Sequence, residues 1–414
     1  MALAPRRRAR RLWDYLRSER RTLRQGFVAL LVGAAAAFVA GLTLGSITAT
    51  LEALPGLFIL IPAAAGMQNT IFGAIGARLG TSTHTGLFEV TRSRQGVLYQ
   101  NVLAGITLTF FSSLYLAALS RVSAIVFGLP SISFLDFVSI SVVGSLLAGA
   151  VILVVTIVVA IQSFRHGFDL DSVGTPLIVA AGDMSTIPCL FLATFITKSP
   201  TANAIVAGVA IAACVLVSIR GFMTKLRMAR RAILEMVLVV LLTPLLDILA
   251  GTLVESRLDR FVALPGLLIV IPPLISTAGD LGGILSSRLS SKLHLGLVSP
   301  RGIPERLALL DASLVGVFGV GVYLVIGVAG FGLSVATGRA NPGAATMITG
   351  TFVTGLLVTV AAIVVAYAIA VATFRFGLDP DNHSVPIITS AMDLVGVLSF
   401  LIVLSVLGVG AGHV

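Results

Sequence analysis

The chain has 414 residues, 57% of them hydrophobic and only 11% charged, with a mean hydropathy of +1.05. A soluble domain of that length carries about 25% charged residues, so the composition excludes a water-facing globular protein and leaves a multi-spanning membrane protein. The net charge of +10 does not point to nucleic acid, because nine arginines against Asp14 and Glu19 sit in residues 1–25 and a second cluster (Arg220, Lys225, Arg227, Arg230, Arg231) flanks an apolar stretch, the placement of basic residues that set orientation and meet anionic lipid.

The basic tail, 1–25, reads as a cytoplasmic interfacial anchor with Leu12, Trp13 and Leu16 on its apolar side. Apolar segments able to cross about 30 Å of hydrocarbon follow at 26–52, 55–77, 97–120, 136–163, 173–197, 202–219, 230–254, 265–287, 307–335, 345–373 and 384–411, eleven predicted spans of an all-α integral membrane protein. The first is too long for a signal-peptide core and reads as a span that stays. The second span of each half opens on Pro-Gly, and its shortness and glycine content suit close helix packing or a locally broken helix beside a cavity. Cys189 and Cys214 lie in spans with no close spacing, forming neither a disulfide framework nor a metal knuckle. No His-Glu-x-x-His, Walker loop or Gly-x-Ser-x-Gly occurs, so nothing points to an enzyme.

The chain repeats itself. Leu54-Pro55-Gly56-Leu57 recurs as Leu264-Pro265-Gly266-Leu267, Arg78, His84 and Gly86 as Arg288, His294 and Gly296, and Phe164-Arg165, Asp169, Asp171, Pro176 and Asp183 as Phe374-Arg375, Asp379, Asp381, Pro386 and Asp393, always 210 positions apart. The expected organisation is a five-helix repeat over 26–200, a linking span with a basic loop over 201–229 and a second five-helix repeat over 230–414. Five crossings per repeat is an odd number, so the extra span makes the repeats parallel, with a pseudo-two-fold axis along the membrane normal. The positive-inside rule places the N-terminus in the cytoplasm and the C-terminus outside.

Asp183 and Asp393 each lie in an apolar helix, twelve residues past the acids Asp171 and Asp381, or about 18 Å at 1.5 Å per residue. A carboxylate near mid-membrane costs several kcal/mol unless it meets water, a cation or a partner. One in each repeat favours a cation site between the halves, against a protonated or hydrogen-bonded structural role. Asp280 is a third deep acid, about 12 Å up from Arg288 by the same rise and close in height to Asp393. Its counterpart is Thr70, beside Gln68 and Asn69, whose neutral oxygens serve equally as ligands or as packing glue. Water-bridged carboxylates at that separation suit a hydrated Mg²⁺. Asp169, Asp171, Asp379 and Asp381 precede the fifth spans as helix caps, as an inner mouth, or as both. Pro176 and Pro386 fall a turn or so inside those helices and can kink them. Asp247 and Asp311 are also deep, but their counterparts are Ala37 and Asn101. Glu235 is expected to pair with Arg230 or Arg231, and His84 and His294 to pack in loops.

Pro272-x(6)-Gly279-Asp280-Leu281-x(6)-Arg288-Leu289-Ser290 resembles the second-helix signature of MgtE-type magnesium channels and their animal relatives, solute carrier family 41. Asp379-Pro380-Asp381-Asn382-x(3)-Pro386-x(6)-Asp393-Leu394 resembles their fifth-helix signature, kept more loosely from Asp169 to Asp183. The resemblance implies a Mg²⁺ passage between two five-helix domains, with the fifth-helix aspartates Asp183 and Asp393 as main ligands. It also implies that one chain serves as a pseudo-dimer where MgtE uses two. This sequence departs from the family in reading Gly279-Asp280 and Asn69-Thr70 where the family usually has Gly-Asn, in lacking the regulatory domain that MgtE carries before its membrane part, and in its arginine-rich tail. Two other readings stand beside a Mg²⁺ passage in the cell membrane. One is a Na⁺- or H⁺-coupled Mg²⁺ exchanger with Asp247, Asp280 and Asp311 as carriers. The other is a non-transporting scaffold held together by its acids.

Overall fold

A computed structural model of the protein describes residues 20–89, 91, 93–166, 174–300, 303–377 and 380–409. Among these there is no strand. Eleven helices are long and apolar enough to cross a membrane. They are α1 (Arg20–Ser46), α3 (Leu57–His84), α4 (Val97–Val126), α5 (Phe134–His166), α6 (Thr175–Thr194), α7 (Pro200–Phe222), α8 (Arg227–Glu255), α10 (Pro265–His294), α11 (Arg306–Ala336), α12 (Ala344–Phe376) and α13 (Pro380–Val406). Two short helices, α2 (Thr48–Ala53) and α9 (Leu258–Ala263), lie between α1 and α3 and between α8 and α10 and touch each other.

The expected spans agree with these helices to within a few residues except at three places. The first span ends at Ser46, and its tail is the separate α2. The second span of each half is not short or broken: α3 has 28 residues and α10 has 30, continuous through Pro62 and through Pro272-Pro273. Pro176 stands at the start of α6 rather than within it, where its missing N–H would have no helical acceptor in any case.

α3 and α10 are the most enclosed spans. α3 is wrapped by α4, α5, α6 and α8, and α10 by α11, α12, α13 and α1. Each first helix therefore packs on the second helix of the other half: α1 lies along α10 and α6, and α8 along α3, α13 and α4. Glycines make these crossings close. A Cβ on Gly41 of α1 would stand 2.1 Å from the Ile269 carbonyl oxygen, and one on Gly251 of α8 would stand 2.7 Å from the Phe58 and Ile59 oxygens. Small residues let helix backbones approach in lipid, where dispersion rather than the hydrophobic effect drives association. The prolines contribute as well. Pro62 and Pro273 have no N–H for the carbonyls four residues back, Phe58 and Ile269, and the glycine Cα–H groups lie against those same carbonyls, a weak but usable donor.

Glu255, the last residue of α8, ties the halves at one end. Its carboxylate accepts the N–H groups of Gly56 (2.6 Å) and Phe58 (3.1 Å) at the start of α3, a negative group at the positive end of a helix dipole. Gly56 has φ of +83°, a left-handed turn that favours glycine. α7 sits outside α4 and α5 and is the least enclosed span. Asn203 on α7 donates to Asp136 of α5 at 2.7 Å. Many serine and threonine hydroxyls inside the spans bond back to carbonyls three or four residues earlier, as Thr156 does to Ile152 and Thr354 to Gly350, both at 2.7 Å, which lets them sit in apolar helices.

Candidate cation site

Asp183 sits on α6 where that helix faces both second helices. Its Oδ1 accepts from Asn69 Nδ2 on α3 at 2.7 Å, and its Oδ2 accepts from Ser276 Oγ on α10 at 2.8 Å. It is 8% exposed. One carboxylate thus joins helices from both halves at a depth where no cation pairs with it among the described residues.

Three further acids surround this point. Asp280 on α10 interacts electrostatically with Asp183, and its Oδ2 faces Gly33 of α1, where a Cβ would stand 3.2 Å away. Asp393 on α13 interacts with Asp183 and with Asp247. Asp247 on α8 is 1% exposed, and neither of its oxygens has a hydrogen-bond partner. It faces Gly66 of α3, where a Cβ would stand 2.8 Å from Oδ2. Ser390 of α13 lies near enough to act on its charge but is not placed to bond either oxygen.

The structure sorts the expected ligands. Asn69 meets Asp183 with its nitrogen, and its Oδ1 lies buried without a partner. Gln68 turns the other way: its Nε2 donates to the Ser145 carbonyl of α5 at 2.9 Å, and it does not join the acids. Residues 68 and 69 point about 100° apart on a helix of 3.6 residues per turn, so one face of α3 cannot present both. Thr70 is buried. Asp280 interacts with Asp183, where height along the helices had matched it to Asp393. Asp169, Asp171 and Asp379 lie outside the described residues, as does the side chain of Asp381. Among the described residues no three His, Cys, Asp or Glu side chains group tightly enough to hold a metal unaided, so serine, asparagine, backbone or water oxygens would have to complete a shell.

The repeat pattern hides Asp247 and Ser276. Their counterparts are Ala37 and Gly66, so neither shows in a residue-by-residue repeat. The available signal was the apolar run Leu241–Ala250 around Asp247.

Asp311 lies in a buried ion-paired cluster. It is fully buried on α11 and accepts from Arg288 Nε at 2.9 Å and Lys292 Nζ at 2.5 Å on α10. Its negative charge holds the end of α10 to α11. Asp311→Ala is expected to lower the detergent-solubilised protein's stability by on the order of 3 kcal/mol, as removal of one member of a buried ion pair does. A melting temperature unchanged from wild type would refute that role. Glu235 pairs with Arg231 at 2.6 Å, as expected, and also with Arg78 of α3 at 2.7 Å, tying α8 to the other half again. His294 ends α10, its Nδ1 2.8 Å from the Ser290 carbonyl and its ring edge-on to Phe374. Cys189 and Cys214 are free thiols.

These features define a polytopic helical membrane protein that buries several carboxylates where its two halves meet. The profile of the MgtE family, a divalent cation transporter family, matches residues 61–193 and again 271–403, and the chain belongs to that family. It is similar to solute carrier family 41 member 3 of Mus musculus (22% identity over 359 residues, 82% of this chain and 73% of that protein). It is also similar to solute carrier family 41 member 2 of Homo sapiens (24% over 372 residues, 82% of this chain and 62% of that protein). Among solved structures, a eukaryotic MATE transporter aligns over 94% of this chain and 96% of its own at 14% identity, with a TM-score of 0.34, too low for a common fold to follow. At family level the function is divalent cation transport by a multi-pass membrane protein, not catalysis.

Proposed function

We propose that the transported ion is Mg²⁺ and that it passes between two parallel five-helix repeats, 26–200 and 230–414, which one chain supplies as a pseudo-dimer around an axis along the membrane normal. The linking segment 201–229 reverses the sidedness of the second repeat. The basic segments place the N-terminus in the cytoplasm and the C-terminus outside.

The observation that carries this reading is Asp183, oriented by Asn69 from one half and Ser276 from the other, with Asp393 and Asp280 within electrostatic reach. Mg²⁺ prefers oxygen ligands and gives up its waters reluctantly, so it binds through one or two carboxylates plus water. A carboxylate that already accepts two hydrogen bonds is fixed in orientation and keeps lone pairs free for such an ion. With Asp183 and Asp247 buried, a passage between the halves would be closed at this point, and conduction would require the halves to part. Asp169, Asp171, Asp379 and Asp381 would gather cations at the inner mouth.

The test is the purified chain in liposomes loaded with a Mg²⁺-sensitive dye. Saturable Mg²⁺ influx is expected, and it should persist when Na⁺ and H⁺ gradients are collapsed. Flux that disappears with those gradients would make the protein an exchanger. Absence of Mg²⁺ flux under every gradient, with the protein folded, would overturn the reading and leave a scaffold.

A further inference from the structure

Asp280, Asp183, Asp393 and Asp247 form one connected chain of electrostatic contacts, and none of them makes an ion pair among the described residues. In a low-dielectric interior, four neighbouring carboxylates repel one another and lose hydration. A single divalent cation offsets only two of those charges.

The acids also divide into two similar groups. Asp183 of α6 interacts with Asp280 of α10, whose Oδ2 faces Gly33 of α1. Asp393 of α13 interacts with Asp247 of α8, whose Oδ2 faces Gly66 of α3, and also with Asp183 of the first group. Shifting by 210 residues turns α6 into α13 and exchanges α10 with α3 and α1 with α8. Each group therefore uses the same three kinds of helix: a fifth helix, plus the first helix of one half against the second helix of the other. The groups differ in which of the two crossing helices bears the acid and which the glycine, and in their donors. The first group has hydrogen-bond donors from Asn69 and Ser276. In the second, both Asp247 oxygens are buried and without a hydrogen-bond partner, with Oδ2 against Gly66.

Resting on the transport reading above, the geometry points to a second divalent-cation site, built from Asp247 and Asp393 with Ser390, beside the one at Asp183 and Asp280, so that the closed protein holds two ions. A buried carboxylate without a donor is neutralised by a proton or by a cation, and the two carboxylates of each group match one divalent charge. Gly66 lets the Asp247 carboxylate lie directly against α3, where a Cβ would stand 2.8 Å from Oδ2.

The experiment counts Mn²⁺, a spin-active substitute for Mg²⁺, on the detergent-purified full chain by equilibrium dialysis and electron paramagnetic resonance. Wild type is expected to retain two Mn²⁺ per chain with mutual dipolar broadening, and Asp247→Asn to retain one with a sharpened spectrum. In ion-free buffer Asp247→Asn should melt no lower than wild type, because it removes an unpaired buried charge, whereas a merely structural Asp247 would give a lower melting point. Gly66→Ala keeps every charge but crowds Asp247, and should weaken the second ion at least tenfold, which preserves the test if Asp247→Asn does not fold. One Mn²⁺ on wild type and on Asp247→Asn alike would overturn the second site and leave the Asp183 site standing. No Mn²⁺ on wild type would overturn both.

Discussion

Asp183→Asn combined with Asp393→Asn is expected to abolish Mg²⁺ uptake in a Mg²⁺-dependent host while the protein reaches the membrane at wild-type levels. The substitutions are nearly isosteric, so packing of α6 and α13 is preserved and only charge is removed. Asp183→Asn alone should have the larger single effect, because Asp183 is the carboxylate held by donors from both halves. An amide in its place can still accept from Asn69, but it turns a donor toward Ser276 and offers a cation one weak oxygen. Loss of a charge-assisted contact is worth about 1.5–3 kcal/mol, and at ~1.4 kcal/mol per tenfold the single variant should lose roughly tenfold to 100-fold in flux. Losing both acids leaves no carboxylate on either fifth helix at this depth. Undiminished uptake by the double variant, with expression confirmed on a blot, would reject a passage lined by these residues.

Much of this arrangement was legible in the sequence, and the parts that were not have physical reasons. Eleven apolar segments, the 210-residue displacement and the two fifth-helix aspartates need only hydropathy and counting. The length of α3 and α10 was not legible, because Pro-Gly and interior prolines look like breaks until the freed carbonyls of Phe58 and Ile269 are seen against glycines of another helix. Exchange of α1 and α8 between the halves was equally hidden: the pattern says which helices are apolar, not which neighbour each one covers. That exchange is also why Asp247 looked like an unmatched acid. A comparison at fixed spacing asks for the same residue on the equivalent helix, whereas here Asp280 and Asp247 sit on different members of equivalent crossings, each opposite a glycine. Gln68 turns toward α5 rather than toward the acids for a simpler reason, since adjacent residues on α3 cannot share one face.

Gly41→Val and Gly251→Val are expected to prevent assembly of the protein outright. A Cβ at Gly41 would approach the Ile269 oxygen to 2.1 Å, and one at Gly251 would approach two carbonyl oxygens to 2.7 Å. The obstructing atoms are backbone of α10 and α3, the two most enclosed helices, so no side chain can rotate aside. Overpacking a core costs about 1–3 kcal/mol when side chains can adjust, and more where a whole helix must move. Net stabilities are only about 5–15 kcal/mol. The branched side chain would also separate the glycine Cα–H groups from the carbonyls that Pro62 and Pro273 leave without a helical donor, leaving polar groups bare in an apolar interior. Gly208→Val on the peripheral α7, where a Cβ would meet nothing within 4 Å, is the matched control and should behave as wild type. Size-exclusion profiles of fluorescently tagged protein decide the matter: a monodisperse peak for Gly208→Val and aggregate for the other two is expected. Should Gly41→Val and Gly251→Val run like the control, the first helices do not cross between the halves as described, and the sites beside Gly33 and Gly66 lose the helix pairs that form them.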